Sequence, residues 1–217
     1  MVDIAVYPVN LQIDGRRCAV VGGGSVAARK VVSLVEAGAC VTVFSPALTD
    51  CLTEMAVNGQ IIHVDRPYCQ GDLAGYFIVI CATDDRDSNR QAAEEGHRSG
   101  ALVNVVDDPA ACDFSVPAQV ARGDVLFTVS TGGKSPALAR RLREELAGRY
   151  GPEYGEYLEL VAKVRDELKT RLATSRDRES FWRETIDSDI LVLLRQGKIK
   201  EAEAKIRNAA GCTGTKS

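Results

Sequence analysis

Histidine is almost missing from this chain: His63 and His97 are the only two in 217 residues. The seven cysteines, at 18, 40, 51, 69, 81, 112 and 212, include no Cys-x-x-Cys pair. These two shortages exclude a His/Cys cluster with the spacing of a stable metal site, so no metal is expected. An odd, scattered cysteine count also argues against a disulfide framework. Cys18, Cys40 and Cys81 fall in apolar runs and read as small buried hydrophobes in a reducing cytoplasm. Long apolar runs are lacking too, since stretches such as Phe77 to Ala82 are far too short to span a bilayer. The opening "MVDIAVYPVN" has neither a basic region nor a cleavable apolar core, so a cytoplasmic protein without a leader is expected. Nor is there any excess of positive charge. A formal net charge of -3 gives no global attraction for nucleic acid or an anionic membrane, and leaves anion binding to a local patch.

What is present is an alternation. "RCAVVG" (17–22), "CVTVFS" (40–45), "QIIHV" (60–64), "YFIVICA" (76–82) and "ALVNVV" (101–106) are short and mostly apolar on both faces, as strands buried on both sides must be. "SVAARKVVSLVEAG" and "DRDSNRQAAEEGHRSG" lie between them and read as crossover helices closed by Gly38 and Gly100. Strand and helix in repetition predict a doubly wound α/β domain with a parallel sheet over residues 1–112. The pattern then changes. "DFSVPAQVA" and "DVLFTVST", joined at Arg122-Gly123, predict two antiparallel strands in a small region, 113–150, that ends in the helical run "KSPALARRLREELAGRY". After the Gly151-Pro152 break comes a helical domain, 151–217, with helical patterns at about 153–173, 177–195 and 198–209. Leu191, Leu194, Ile199 and Ala202 give its last two helices an apolar face.

The turn after the first strand reads Gly22-x-Gly24-x-x-Ala27 and opens the first helix. Gly22 permits a tight turn, Gly24 lets a pyrophosphate approach the backbone, and Ala27 keeps helix and strand close. The free N–H groups at Ser25 and Val26 and the positive end of the helix then face the phosphates. This strand–turn–helix context makes a Rossmann dinucleotide site the expected use of the motif. The acidic residue that would hold the ribose hydroxyls is missing, because "VFSPAL" follows the second strand. Ser45 and the backbone of Pro46 and Ala47 are left to do that work. No arginine stands there to meet a 2′-phosphate, so the expected cofactor is NAD. Thr83, in "ATDD" at the end of the fourth strand, either contacts the cofactor or caps the next helix.

A second glycine turn, "STGGKSPALARRLREEL" (130–146), leads into a helix with Ser135 as N-cap and Pro136 at its first position. Two readings stand open here. Lys134, Arg140, Arg141 and Arg143 form an anion site, or the arginines pair with Glu144 and Glu145 on a solvated face. The histidines have plainer readings: His63 is a satisfied core residue, and His97 complements a helix C-terminus.

Four stretches, "YPVNLQIDGRRCAVVGGGSVAARKV", "ATDD...N", "NVVDDPAACDFSVPA" and "STGGKSPALARRLREEL", occur in order over residues 7–150. In them the chain resembles the precorrin-2 dehydrogenase and sirohydrochlorin ferrochelatase family, which includes the N-terminal half of bacterial siroheme synthase. The resemblance implies NAD-dependent oxidation of precorrin-2 to sirohydrochlorin, and a homodimer formed through 113–150. It makes Asp107, in "NVVDD", the catalytic residue, accepting a proton or assisting metal entry; the bland alternative is a turn carboxylate. It also implies that Ser130, Thr131, Gly132, Lys134, Ser135 and Arg141 dock the tetrapyrrole, whose eight carboxylates call for a basic surface. Some members of the family insert iron as well. Their proposed chelatase histidine lies in the C-terminal helices, and this chain has no histidine beyond 97. Two rivals remain: a bifunctional dehydrogenase and ferrochelatase, and a non-catalytic dimeric module that senses NAD(H). Such a sensor needs neither the second anion site nor a carboxylate after the fifth strand.

Overall fold

The computed structural model describes residues 6–168 and 188–212. Its two compact units meet in sequence between Val116 and Pro117, beyond the 112/113 junction read from the pattern.

The first unit is the expected α/β domain. Strands β1 (Arg17–Val21), β2 (Cys40–Phe44), β3 (Ile61–Val64), β4 (Ile78–Cys81) and β5 (Leu102–Val105) form one sheet in the order β3-β2-β1-β4-β5, every pair parallel. Side chains alternate across it. Cys18 and Val20 pack with α1 (Ser25–Glu36) and α2 (Asp50–Val57) on one face. Ala19 and Val21 pack with α3 (Arg86–Arg98) and with Tyr68, Leu73 and Tyr76 on the other. Burial on both faces is why the strands read as continuous apolar runs. It also pushes the Cys18 thiol up to about 11 and that of Cys81 to about 12, which leaves both inert. Cys40 departs from expectation: as the first residue of β2 it is exposed. Helix α2 had no counterpart in the sequence reading; Thr49 caps it by accepting the Leu52 N–H at 3.4 Å.

In the second unit β6 (Ala118–Arg122) pairs antiparallel with β7 (Val125–Val129). The turn is Gly123-Asp124, one residue later than expected, because Gly123 supplies the positive φ (56°) at its first position. Helix α4 (Pro136–Arg149) follows, and Arg122 ties it back to the hairpin by donating to the carbonyls of Tyr150 (2.9 Å) and Ala147 (3.1 Å). Helices α5 (Glu153–Leu168), α6 (Ser188–Arg195) and α7 (Ile199–Cys212) pack around Leu160, Val164, Ile190, Leu194, Ala202 and Ile206. Of the expected apolar face, Leu194 and Ala202 are buried, Leu191 is half-buried and Ile199, at a helix start, is exposed. Expected helix at 169–173 and 177–187 lies outside the described residues. Among those described, no helix is long and apolar enough to cross a membrane.

The β3–β4 crossover carries no helix, and a buried carboxylate holds it instead. Glu95 on α3 accepts from Tyr68 Oη (2.5 Å), Gly71 N–H (2.9 Å) and Leu73 N–H (2.7 Å). Burial alone would raise its pKa. The three donors outweigh that and hold the carboxyl below the usual glutamate range, while burial and the adjacent Glu95 push the Tyr68 phenol up. A depressed carboxylate pKa stabilises the fold above its unfolded-state value, about 4.3, and that contribution is lost as pH falls through the folded value. Glu95→Gln, which cannot accept at both oxygens, should cost about 1.5–3 kcal/mol in denaturant unfolding at pH 7. The difference from the parent should shrink as unfolding is repeated at pH 4 and below.

Candidate active site

The glycine turn lies wedged between two strand ends. Gly22 has φ 120°, and a Cβ there would sit 2.3 Å from the Ala82 carbonyl oxygen, beyond β4. A Cβ on Gly23 would sit 2.0 Å from the Ala47 carbonyl oxygen and 2.7 Å from Ser45 Oγ, beyond β2. Backbone bonds Gly22 N–H to Phe44 O (2.9 Å) and Thr49 N–H to Gly23 O (3.1 Å) fix that approach. Gly24 differs from both: its φ is an ordinary -78°, and a Cβ there would meet no protein atom within 4 Å.

Gly24 is also the N-cap of α1 and supplies no side-chain bond, whereas Thr49, Asp85 and Ser135 cap α2, α3 and α4 through their side chains. The first turn of α1 holds no acidic residue. Its leading N–H groups, Ser25 and Val26 among them, have no partner within the helix. An open approach at Gly24, an uncapped helix start and no competing carboxylate fit the pyrophosphate of a dinucleotide.

The other expected cofactor residues gather around this turn. Pro46 and Ala47 are exposed beside it. Ser45 is buried; its hydroxyl donates to the Ala47 carbonyl (2.7 Å), and His63 Nε2 donates to the Ser45 carbonyl (2.8 Å). Both side chains thus shape the loop after β2. For His63 the core reading was close: it is half-buried with its ring nitrogen satisfied. Thr83 lies at the end of β4 but is not the cap of α3; Asp85 is, accepting the Asp87 N–H at 3.0 Å. His97 sits in the last turn of α3, with Nε2 3.2 Å from Asp113 Oδ2.

Asp107 follows β5 at the same carboxyl edge of the sheet, exposed in a turn. Its φ of 63° makes it the only non-glycine residue with positive φ among those described. Aspartate tolerates this region, at a conformational cost that the surroundings must sustain. Cys112 lies across the base of this turn, its sulfur accepting the Val105 N–H (3.1 Å) and lying 3.2 Å from the Asp108 carbonyl oxygen. With β4 between β1 and β5, two strand spacings, about 10 Å, separate the strands that carry the glycine turn and Asp107.

The second glycine turn belongs to the other unit. Gly132 and Gly133 have φ 59° and 75°, and Lys134 N–H donates to the Thr131 carbonyl (3.1 Å). The Gly132 N–H donates to Ser130 Oγ (3.3 Å), and Ser135 caps α4 through the Leu138 N–H (3.2 Å). Arg140 pairs with Glu144 (2.9 Å), Arg143 reaches the same carboxylate (3.4 Å), and Arg141 pairs with Glu145 (3.1 Å), all on an exposed helix face. Sequence reasoning passed over Gly23, Asn89 and Cys112 as site-shaping residues. All three lie in the stretches that carry the family resemblance, but nothing local to them gives their partners.

A family model described as "Putative NAD(P)-binding" matches residues 9–118, a sirohaem biosynthesis protein central model matches 128–149, and a sirohaem synthase dimerisation region model matches 153–209. The chain belongs to the family of that NAD(P)-binding model, and the two sirohaem models follow it along the same chain. Its relatives include siroheme synthase of Nitrosococcus oceani, 39% identical over 202 residues, covering 93% of this chain and 43% of that protein. Siroheme synthase of Photorhabdus laumondii is 37% identical over 199 residues, covering 92% and 42%. The chain thus spans less than half the length of these curated relatives. A solved structure titled SirC, precorrin-2 dehydrogenase, superposes with a TM-score of 0.76 at 29% identity, covering 94% of this chain and all of that one. The dimerisation model of the family falls on α5 to α7, downstream of the 113–150 segment to which the sequence reading gave that role.

The two crowded glycines and the open one should separate in experiment. Gly24→Ala should melt within a degree or two of the parent yet bind nicotinamide dinucleotide about tenfold or more weakly. Gly23→Ala, forced against backbone, should lose at least about 1–3 kcal/mol of stability. Calorimetry and fluorescence titration of the reduced cofactor read both effects.

Proposed function

We propose that this protein is a precorrin-2 dehydrogenase, oxidising precorrin-2 to sirohydrochlorin with NAD. The observation that carries the reading is the joint match, across both units, to a solved precorrin-2 dehydrogenase over that chain's whole length. A glycine turn shaped for a pyrophosphate and a carboxylate after β5 at the same sheet edge support it. NAD is preferred over NADP because the loop after β2 presents Pro46 and Ala47 where a 2′-phosphate would need a cation. When bound, the nicotinamide supplies the hydride acceptor.

This chain's residues do the rest. The backbone at Gly22 and Gly24 and the N–H groups of Ser25 and Val26 hold the pyrophosphate. Ser45 orders the Pro46-Ala47 loop under the ribose, and Thr83 lines the crevice. Asp107 takes the proton that leaves the tetrapyrrole as its hydride is removed. Its left-handed backbone turns the side chain out of the strand line, where substrate can reach it. Ser130, Thr131, Gly132, Lys134, Ser135 and Arg141 dock the substrate carboxylates, Arg141 exchanging Glu145 for a substrate carboxylate.

The working form is a cytoplasmic homodimer. Leu126 on the hairpin and Leu138 and Leu142 on α4 support this, as large apolar side chains left 45, 48 and 37% exposed. The domain reading keeps a cofactor domain, a docking region at 113–150 whose exposed leucines extend the dimer surface, and a helical domain from 151 on which the family's dimerisation model falls. Iron insertion is not part of the proposal, since the helices past residue 150 hold no histidine.

Purified protein with precorrin-2 and NAD should produce NADH and the sirohydrochlorin spectrum, and NADP should support much slower turnover. Asp107→Asn should lower turnover by roughly 10²–10⁴-fold, the range for a lost general base, with cofactor affinity unchanged. Parental turnover in a folded variant would remove Asp107 from the chemistry. Leu142→Asp should shift the dimer toward monomer in sedimentation velocity.

A further inference from the structure

Asn89 is a polar side chain buried on the first turns of α3, only 7% exposed. Its amide faces a single residue. The Thr83 N–H donates to Asn89 Oδ1 (3.1 Å), and Asn89 Nδ2 donates to the Thr83 carbonyl (2.9 Å). This is the two-bond exchange of a strand pair, made by a side chain one residue after β4 has lost its strand neighbours. Ala82 N–H still pairs with the Val21 carbonyl (2.8 Å); Thr83 pairs with Asn89 instead. The Thr83 hydroxyl joins the arrangement, 2.8 Å from Asn89 Oδ1 and 2.9 Å from the Asp85 carbonyl oxygen, either of which can take its one proton.

The peptide that Asn89 fixes is the one against which the glycine turn is packed. A Cβ on Gly22 would lie 2.7 Å from Ala82 C and 3.1 Å from Thr83 N. The wall of the turn and the Thr83 backbone therefore form one rigid surface, and a displacement of Thr83 is felt at Gly22. We propose that Asn89 is a positioning residue for the dinucleotide: through Thr83 it sets the β4 wall of the cofactor crevice. This rests on the reading that the Gly22–Val26 turn holds the cofactor.

The amide must both donate and accept, so aspartate is a sharp test. Asn89→Asp keeps the acceptor for Thr83 N–H, removes the donor to Thr83 O, and places a charge in a site built for a neutral group. It should weaken NADH binding in fluorescence titration by about tenfold, equivalent to about 1.4 kcal/mol. The Michaelis constant for NAD should rise in step, with that for precorrin-2 unchanged. A residue that merely staples the start of α3 would lower the melting temperature and leave the NADH dissociation constant unmoved. Unchanged affinity in folded Asn89→Asp would overturn the proposal. If Asn89→Asp does not fold, Asn89→Gln, which keeps both functions but misplaces them by one methylene, carries the same test. Gly24→Ala distinguishes the two levels. NADH binding weakened there but not at residue 89 defeats Asn89 alone, while binding untouched in both defeats the cofactor reading itself.

Discussion

The carboxyl edge of this sheet depends on two missing Cβ atoms. At Gly22 and Gly23 the chain passes within contact distance of carbonyl oxygens beyond β4 and β2, too close for any side chain. That approach draws three strand ends together and leaves α1 starting in the open at Gly24. A residue with a Cβ at either position would push the strand ends apart and turn the helix axis with them. The open start of α1 is thus a by-product of backbone packing, and its geometry is held by the core.

Around that constraint the loops are fixed by side chains imitating backbone. The Asn89 amide stands in for a strand at Thr83. The Glu95 carboxylate replaces the helix that a βαβ crossover would normally supply between β3 and β4. The Cys112 sulfur closes the turn that carries Asp107. Each is a polar group on one element serving the backbone of another, which keeps functional loops ordered without lengthening the sheet.

The sheet was legible because strands buried on both faces are written as unbroken apolar runs, and all five fell within two residues of their expected ends. The glycine turn was legible because only glycine tolerates those contacts. What stayed hidden depends on sequence-distant partners. Helix α2 was missed although "TDCLTEMAV" holds its Thr49 cap and sets Leu52, Met55 and Ala56 at helical spacing; two turns are too short for that period to stand out. Cys40 looked buried because its neighbours are, yet the first residue of β2 lies at the rim. The hairpin turn was misplaced by one residue, since the placing of Gly123 within it depends on the register of both strands. Asn89 and Cys112 are ordinary residues until the loops they face are known.

Helix α4 closes the hairpin unit without a single fully buried residue. Its arginines and glutamates satisfy each other along one side, and Leu138 and Leu142 remain open to water. Such a helix draws little of its stability from its own chain. A surface that covered it would contribute by mass action, and the folding of this segment would then be thermodynamically linked to that association. Protein concentration would then act on this helix as temperature or denaturant does on the sheet.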